Sequence, residues 1–181
     1  MQAETKRSRI ADPFLAEIDQ EAVITKRLLD IIPEEKLNFR PHPKAKSLGE
    51  LAMHIATLQG VVAELGRLDS KEAGGFPPDV EATSRAQILD AFAESLKTAR
   101  EIVGATDDER AVAEWKLTRD GNTLVAMPRT AFWRSILLNH KYHHRGQLSA
   151  TSANWTSHCR PFMAPVRTQI RSPKLVDGER K

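Results

Sequence analysis

The sequence predicts an all-α protein, an up-down four-helix bundle with a short hairpin or extended excursion before the last bundle helix and an irregular C-terminal tail. Three observations carry that expectation. Four stretches space their apolar residues three and four apart, as one face of a helix does. Two of them open on helix starts, Asp12-Pro13 and Ser47-Leu48-Gly49-Glu50. A single stretch, around Asp120-Gly121, alternates apolar and polar residues as a strand does.

Asp12 reads as an N-cap with Pro13 at the first helical position. The first helix then runs from Phe14 to Ile32, with Phe14, Ile18, Leu28 and Ile32 on its apolar face, and Pro33 stops it. The following EEKLNFRPHPKAK is a loop, kept extended by Pro41 and Pro43. Ser47 and Glu50 have the spacing of a capping box, in which each side chain serves the other's backbone amide. Behind it, Leu48, Leu51, Ile55, Leu58, Val62 and Leu65 form one apolar stripe. DSKEAGGFPPDVEAT is a surface loop, and a third helix spans about Ser84 to Val103, with Ile88, Leu89, Phe92 and Leu96 facing in.

In EWKLTRDGNTLVAMP, Trp115 and Leu117 alternate with Lys116 and Thr118. Asp120-Gly121 is a hairpin turn signal, and Thr123, Leu124 and Val125 suit a return strand. Pro128 and Thr130 then open a fourth helix carrying Phe132, Ile136, Leu137, His140, His144 and Leu148. The expected domain is residues 1–150, and residues 151–181 are an appended tail.

The chain has 181 residues, enough for one domain with a real core. No apolar run approaches the ~20 residues of a membrane span. The opening MQAETKRSRI has charges without an apolar block, so no signal peptide is expected. One cysteine, Cys159, excludes an internal disulfide and suits a reducing cytoplasm. The formal charge of +3 invites a nucleic-acid reading, but its distribution argues against one. Residues 151–181 carry six bases and two acids, whereas residues 1–150 carry 21 bases and 22 acids. The body is therefore close to neutral, and neither nucleic acid nor membrane is an expected partner.

The chemistry concentrates in NHKYHHRGQL, which holds three of the six histidines. His140 and His144 are four apart and share a helix face. They continue the row Ile136, His140, His144, which is expected to be buried. Imidazoles buried without partners are unfavourable, and a shared divalent metal resolves that. Hydrogen bonds to carbonyls or carboxylates would resolve it too, and the pattern leaves both readings open. His54, at the edge of the second helix's stripe, is the candidate third ligand. Antiparallel packing would bring it level with the pair, leaving coordination positions for water or substrate. His143 could compete with its neighbour, although a rim or supporting role is more natural. Glu50 reads as a cap, His42 as solvated between two prolines, and His158 lies in the tail. No Glu follows His140 as zinc-peptidase chemistry needs.

SLGELAMHIA followed much later by NHKYHHRGQLSA resembles the DinB-like family of bacterial four-helix-bundle proteins, and FRPHPKAKSLGELAMHIA resembles its lead-in to the helix-two histidine. The resemblance runs from about Phe14 to Ala150. It implies a divalent metal, commonly zinc or nickel, held by three histidines that fall on His54, His140 and His144. It also implies a homodimer, and an activity of thiol-transferase or hydrolase type acting on a small thiol or other small molecule. The alternative is a non-catalytic metal-binding or stress-response bundle acting through protein partners. Gln147, one turn beyond His144, either orients a ligand ring or bound water, or is a plain surface residue.

Beyond Ala150 the family's amphipathic ending is replaced by TSANWTSHCRPFMAPVRTQIRSPKLVDGERK, which has no helical period. Taking the last base of each codon with the first two of the next allows the stretch to be read as ELDVPLPSIYGPSAD, an ending that resembles the family's own. The tail therefore reads either as a disordered basic segment or as a frameshift, and on both readings residues beyond about Ala153 are expected to be irregular and exposed, with Pro161, Pro165 and Pro173 preventing a long helix.

Overall fold

The computed structural model describes residues 8–74, 78 and 80–152. Of the tail expected over residues 151–181, Thr151 and Ser152 are helical, and the expectations about the rest lie outside the described residues. Within them the chain is mostly helical, with one small three-stranded sheet.

Helix α1 spans Asp12–Asp30. Ala11, not Asp12, holds the N-cap position, and no side chain caps it. Asp12 is instead the first helical residue, and its carboxylate accepts bonds from the Arg9 amide (2.9 Å) and guanidinium (2.8 Å). An acid there still complements the positive end of the helix. Helix α2, Leu48–Arg67, starts as its sequence predicts. Ser47 Oγ accepts from the Glu50 amide at 3.0 Å, and the Glu50 carboxylate accepts from the Ser47 amide at 2.8 Å. Helix α3, Arg85–Ala105, opens on Ser84, whose side chain accepts from the Gln87 amide.

After the short α4, Asp108–Val112, come β2, Glu114–Arg119, and β3, Asn122–Pro128, paired antiparallel. Asp120 and Gly121 both have positive φ, 50° and 77°, as the tight two-residue hairpin turn requires. The all-α expectation needs correcting in one respect. A third strand, β1 (Ser70–Glu72), lies parallel to β2 within the segment read as a surface loop. It is three residues long and mostly exposed, so no hydrophobic alternation marks it. It is held from outside its own sequence: the Glu72 carboxylate accepts from Thr118 Oγ1 and the Asp120 amide, both at 2.7 Å.

The last helical column is continuous but not uniform. Pro128 ends β3 and caps α5, Arg129–Phe132; a π-helical segment follows over Trp133–Asn139; α6 is His140–Ser152. Arg129 is fully buried. Its guanidinium donates to the carbonyls of Gly66 (2.9 Å), Leu68 (2.7 Å), Ala113 (3.1 Å) and Glu114 (3.3 Å), and to the Asp69 carboxylate (2.6 Å). The end of α2, the start of β2 and the start of the last column thus meet on one side chain. Trp115 stacks on Phe132 with ring centroids 4.2 Å apart, and its Nε1 donates to the Leu65 carbonyl at 3.1 Å.

Helix directions also depart from an up-down alternation. Arg9 reaches the Gly104 carbonyl, Asp19 pairs with Arg100, and Arg85 reaches the Ile32 carbonyl, so α1 and α3 run in opposite directions. Gly49 lies beside Ala82 and Gly60 beside Ser95, so α2 and α3 run in the same direction. The long connection carrying β1 makes this parallel pair feasible, since it returns the chain to the starting end. Glu17 meets Arg134 and Tyr142, and Glu21 meets Arg145, so α6 runs with α1 and against α2.

Helix α2 is the most buried element. Its upper half joins Leu28, Leu29, Ile88, Phe92 and Leu148 in one apolar cluster, and its lower half joins Ile18, Val103, Trp115, Phe132 and Trp133 in another. Its contact with α3 is close: the Gly60 amide donates to Ser95 Oγ at 2.7 Å, and Ser95 Oγ donates to the Thr57 carbonyl at 3.0 Å.

Two glycine substitutions should therefore have opposite signs. A Cβ on Gly60 would sit 3.0 Å from Ser95 Cα, a backbone atom that cannot turn aside. Gly60→Val should cost about 1–3 kcal/mol in urea melts through overpacking. A Cβ on Gly146, in α6, meets nothing within 4 Å, so Gly146→Ala should gain about 0.5–1 kcal/mol from helix propensity. A neutral Gly60→Val would show that the α2–α3 contact is looser than described.

Candidate metal centre

His54 projects from the second turn of α2, next to the buried Met53 and Ile55, so its position follows from the apolar stripe. His140 and His144 come from the first turns of α6. The antiparallel run of α6 against α2 brings the three rings together. Ring centroids are 4.5 Å apart for His54 and His144, 4.5 Å for His140 and His144, and 5.6 Å for His54 and His140. One ring nitrogen from each residue lies within 4.8 Å of the others. Nε2 of His140 and Nε2 of His144 are 2.7 Å apart.

That last distance bears directly on whether a cation fits. Two imidazole lone pairs at 2.7 Å repel unless a hydrogen or a cation lies between them. His144 Nδ1 is 2.7 Å from Gln147 Oε1, an acceptor, so Nδ1 carries the ring hydrogen and Nε2 presents its lone pair to the cluster. Gln147, whose role the sequence leaves open, thus contacts the ring of His144. Burial is the main force holding all three rings neutral. It pushes His54 down to about 4, helped by the charges of His144, Lys46 and His140. Burial also lowers His140, with His144, His143 and Lys46 adding to it. His144 is lowered mainly by burial, against the raising effect of its bond to Gln147. At neutral pH the site is three uncharged nitrogen donors, a set suited to zinc, nickel and similar ions.

The surrounding row differs from the expected one. Ile136 and His140 are only partly buried, and the inward line runs through Trp133, Leu137, Lys141, His144 and Leu148. Trp133, Leu137, Lys141, His144 and Leu148 lie at helical steps of four, four, three and four, whereas a row stepped strictly by four from Ile136 drifts around the helix. His143 is exposed, its ring centroid 5.1 Å from that of His144, and lies outside the cluster.

Lys141 and Gln59 are among the buried polar residues that were not foreseen. Lys141 is fully buried, and burial with the nearby Arg145 charge lowers its ammonium to about 8 against the pull of Glu21 and Glu17. Counting four on from Leu137, not Ile136, would have found it. Gln59 on α2 is equally buried, and neither amide atom has a hydrogen-bond partner among the described residues. Around them α1 is laced to the last column. Glu17 accepts from Arg134 (2.7 and 2.8 Å) and from the Tyr142 hydroxyl (2.7 Å), and Glu21 accepts from Arg145. The Arg134 bond holds Glu17 below the usual carboxylate range, whereas burial raises Tyr142. These ties flank the histidine pair on the side away from α2.

The family model described as the DinB superfamily matches residues 17–148. Among solved structures, the crystal structure of a DinB-like protein from Bacillus cereus aligns with a TM-score of 0.62 and 24% identity, over 78% of this chain and 89% of that one. At that identity the likeness is one of fold. No curated protein matches the chain.

Two outcomes follow from the geometry. In zinc titration calorimetry, His144→Ala should abolish binding and His143→Ala should largely spare it; equal losses would mean that the wrong histidines are paired. The second concerns acid. Because burial lowers the folded-state histidines below their unfolded value of ~6.5, the unfolded chain takes up protons first. The stability they leave intact is fully present above pH ~6.5 and is lost as pH falls from there towards the folded value of about 4 for His54. Thermal melts of chelator-treated protein should be flat above pH 7 and fall below 6.5, and His54→Asn should fall less steeply. A melting temperature constant from pH 8 to 5 would contradict the buried, neutral cluster.

Proposed function

The chain belongs to the DinB superfamily, and from that premise we propose that it is a divalent-metal-binding protein whose His54, His140 and His144 hold zinc or nickel, and that it works as a metal-dependent enzyme of thiol-transferase or hydrolase type. The observation that carries this reading is the convergence of three neutral imidazoles from two helices, with donor atoms within 4.8 Å of one another. Three protein donors leave coordination positions for a further ligand, the arrangement of catalytic and not structural sites. A divalent cation bound there lowers the pKa of a thiol or water, so that a nucleophile exists at neutral pH.

The chain's own residues prepare the site. Burial keeps the rings unprotonated, so no proton has to leave them near pH 7. Gln147 fixes the His144 tautomer through Nδ1. His54 and His140 are partly exposed, and His144 is buried between them and the core. In this reading the four long helical columns form one bundle, residues 1–150 make the domain, and residues 151–181 are an appended tail. The protein acts in the cytoplasm as a homodimer; the single cysteine supports that compartment, and among the described residues no helix is long and apolar enough to cross a membrane.

The test is turnover of an electrophilic aryl halide with a small thiol, and of a simple ester or amide, by untagged protein with and without added zinc or nickel. The expected result is a rate that requires metal and disappears in His140→Ala. Full metal binding with no metal-dependent turnover would return the protein to the non-catalytic alternative, a metal-binding bundle acting through protein partners.

A further inference from the structure

Helix α2 and the last column each place a polar side chain in the middle of the bundle. Gln59 and Lys141 are both fully buried. Neither amide atom of Gln59, nor Nζ of Lys141, has a hydrogen-bond partner among the described residues. Both interrupt the apolar core at the same level. On α2, Ile55 belongs to the upper apolar cluster and Val62 to the lower, and Gln59 lies between them. On the last column, Leu148 belongs to the upper cluster and Leu137 to the lower, and Lys141 lies between them. On α1 the boundary falls between Ala22 and Ile18.

Contacts on either side fix that level. Gly66 lies against Trp133, and His54 lies against His140 and His144. Gln59 stands between Gly66 and His54 on α2, and Lys141 stands between Trp133 and His144 on the antiparallel column. Side chains tilt towards the N-terminus of their own helix, so on antiparallel helices these two lean towards each other. The acceptors closest to this level are engaged. Ser95 Oγ is taken up by the Gly60 amide and the Thr57 carbonyl. Glu17 is held by Arg134 and Tyr142, and Glu21 by Arg145.

The two side chains cannot satisfy one another. An ammonium offers three N–H groups and a primary amide two, against the two lone pairs of one amide oxygen. A direct bond from Lys141 to Gln59 would use one donor and one lone pair and leave four donors empty. A buried ammonium in that state is unfavourable by several kcal/mol. Water both accepts and donates, and a buried water makes about three bonds to groups otherwise unsatisfied.

We propose that Gln59 and Lys141 form an internal water site, in which ordered water bridges the amide of one to the ammonium of the other across the boundary between the two apolar clusters. The site stands whether or not the histidines hold a metal. Its bonds are directional, so it ties α2 to the last column at a definite height, which apolar contacts alone do less strictly.

A crystal structure of the full chain, prepared with chelator and at a resolution that shows single waters, tests this directly. Water should lie about 2.7–3.2 Å from Lys141 Nζ and from an amide atom of Gln59. Lys141 bonded directly to Gln59, Glu17 or Glu21 with no water between overturns the proposal, and so does an ion in place of water. In solution, oxygen-17 relaxation dispersion of water should show a long-lived internal water in wild type that is lost in the double variant Gln59→Leu, Lys141→Met. An unchanged dispersion overturns the proposal. Urea melts add a further readout. Removing both polar groups should leave the protein at least as stable as Gln59→Leu alone, because no ammonium is then stranded. Losses that simply add from the two single variants would show that the side chains share no water, and would overturn the proposal. If the double variant does not fold, the wild-type crystal structure decides alone.

Discussion

A buried guanidinium sets the register on which the histidine cluster depends. Arg129 is taken wholly out of water, which is costly unless its donors are satisfied. They are, by carbonyls at the C-terminal end of α2, by carbonyls at the start of β2, and by Asp69. The end of a helix carries partial negative charge, so the cation also completes the dipole of α2. From this pin the two antiparallel columns are measured out. At 1.5 Å per residue, His54 stands about 18 Å from Gly66 along α2, and His140 and His144 lie eleven and fifteen residues on from Arg129 along the other column. The three rings therefore meet at one height. A slip of one turn, about 5.4 Å, would separate them.

The electrostatics of the cluster follow from the same packing. Burial between α1, α2 and the last column makes protonation of the imidazoles unfavourable, and the resulting lone pairs are what a transition metal needs. The carboxylates of this region, Glu17 and Glu21, are engaged elsewhere, by Arg134, Tyr142 and Arg145 on the side facing α1. Acid groups tie the helices together, while neutral groups line the site.

Much of this is legible in the sequence, and the exceptions have physical causes. The capping box at Ser47, the stripe of α2, the hairpin turn at Asp120-Gly121 and the i, i+4 histidines are all local patterns, and each survives into the structure. His54 could be placed with the pair because one assumption, antiparallel packing of α2 against the last helix, was enough. What escaped is non-local or a matter of phase. Strand β1 exists because β2 offers it an edge, not because Ser70–Glu72 has strand character. The parallel run of α2 and α3 depends on where the connection carrying β1 delivers the chain. Lys141 lies one ordinary helical step of four beyond the buried Leu137 and so escapes a row counted from Ile136.

In the proposed site, three imidazoles from two helices hold one metal ion. X-ray absorption at the metal edge of zinc- or nickel-loaded protein, purified without a histidine tag, reads the ligands directly. Wild type should show three imidazole nitrogens per metal, and His54→Ala should show two. A spectrum with fewer than three imidazoles, or one unchanged by the loss of His54, would contradict it.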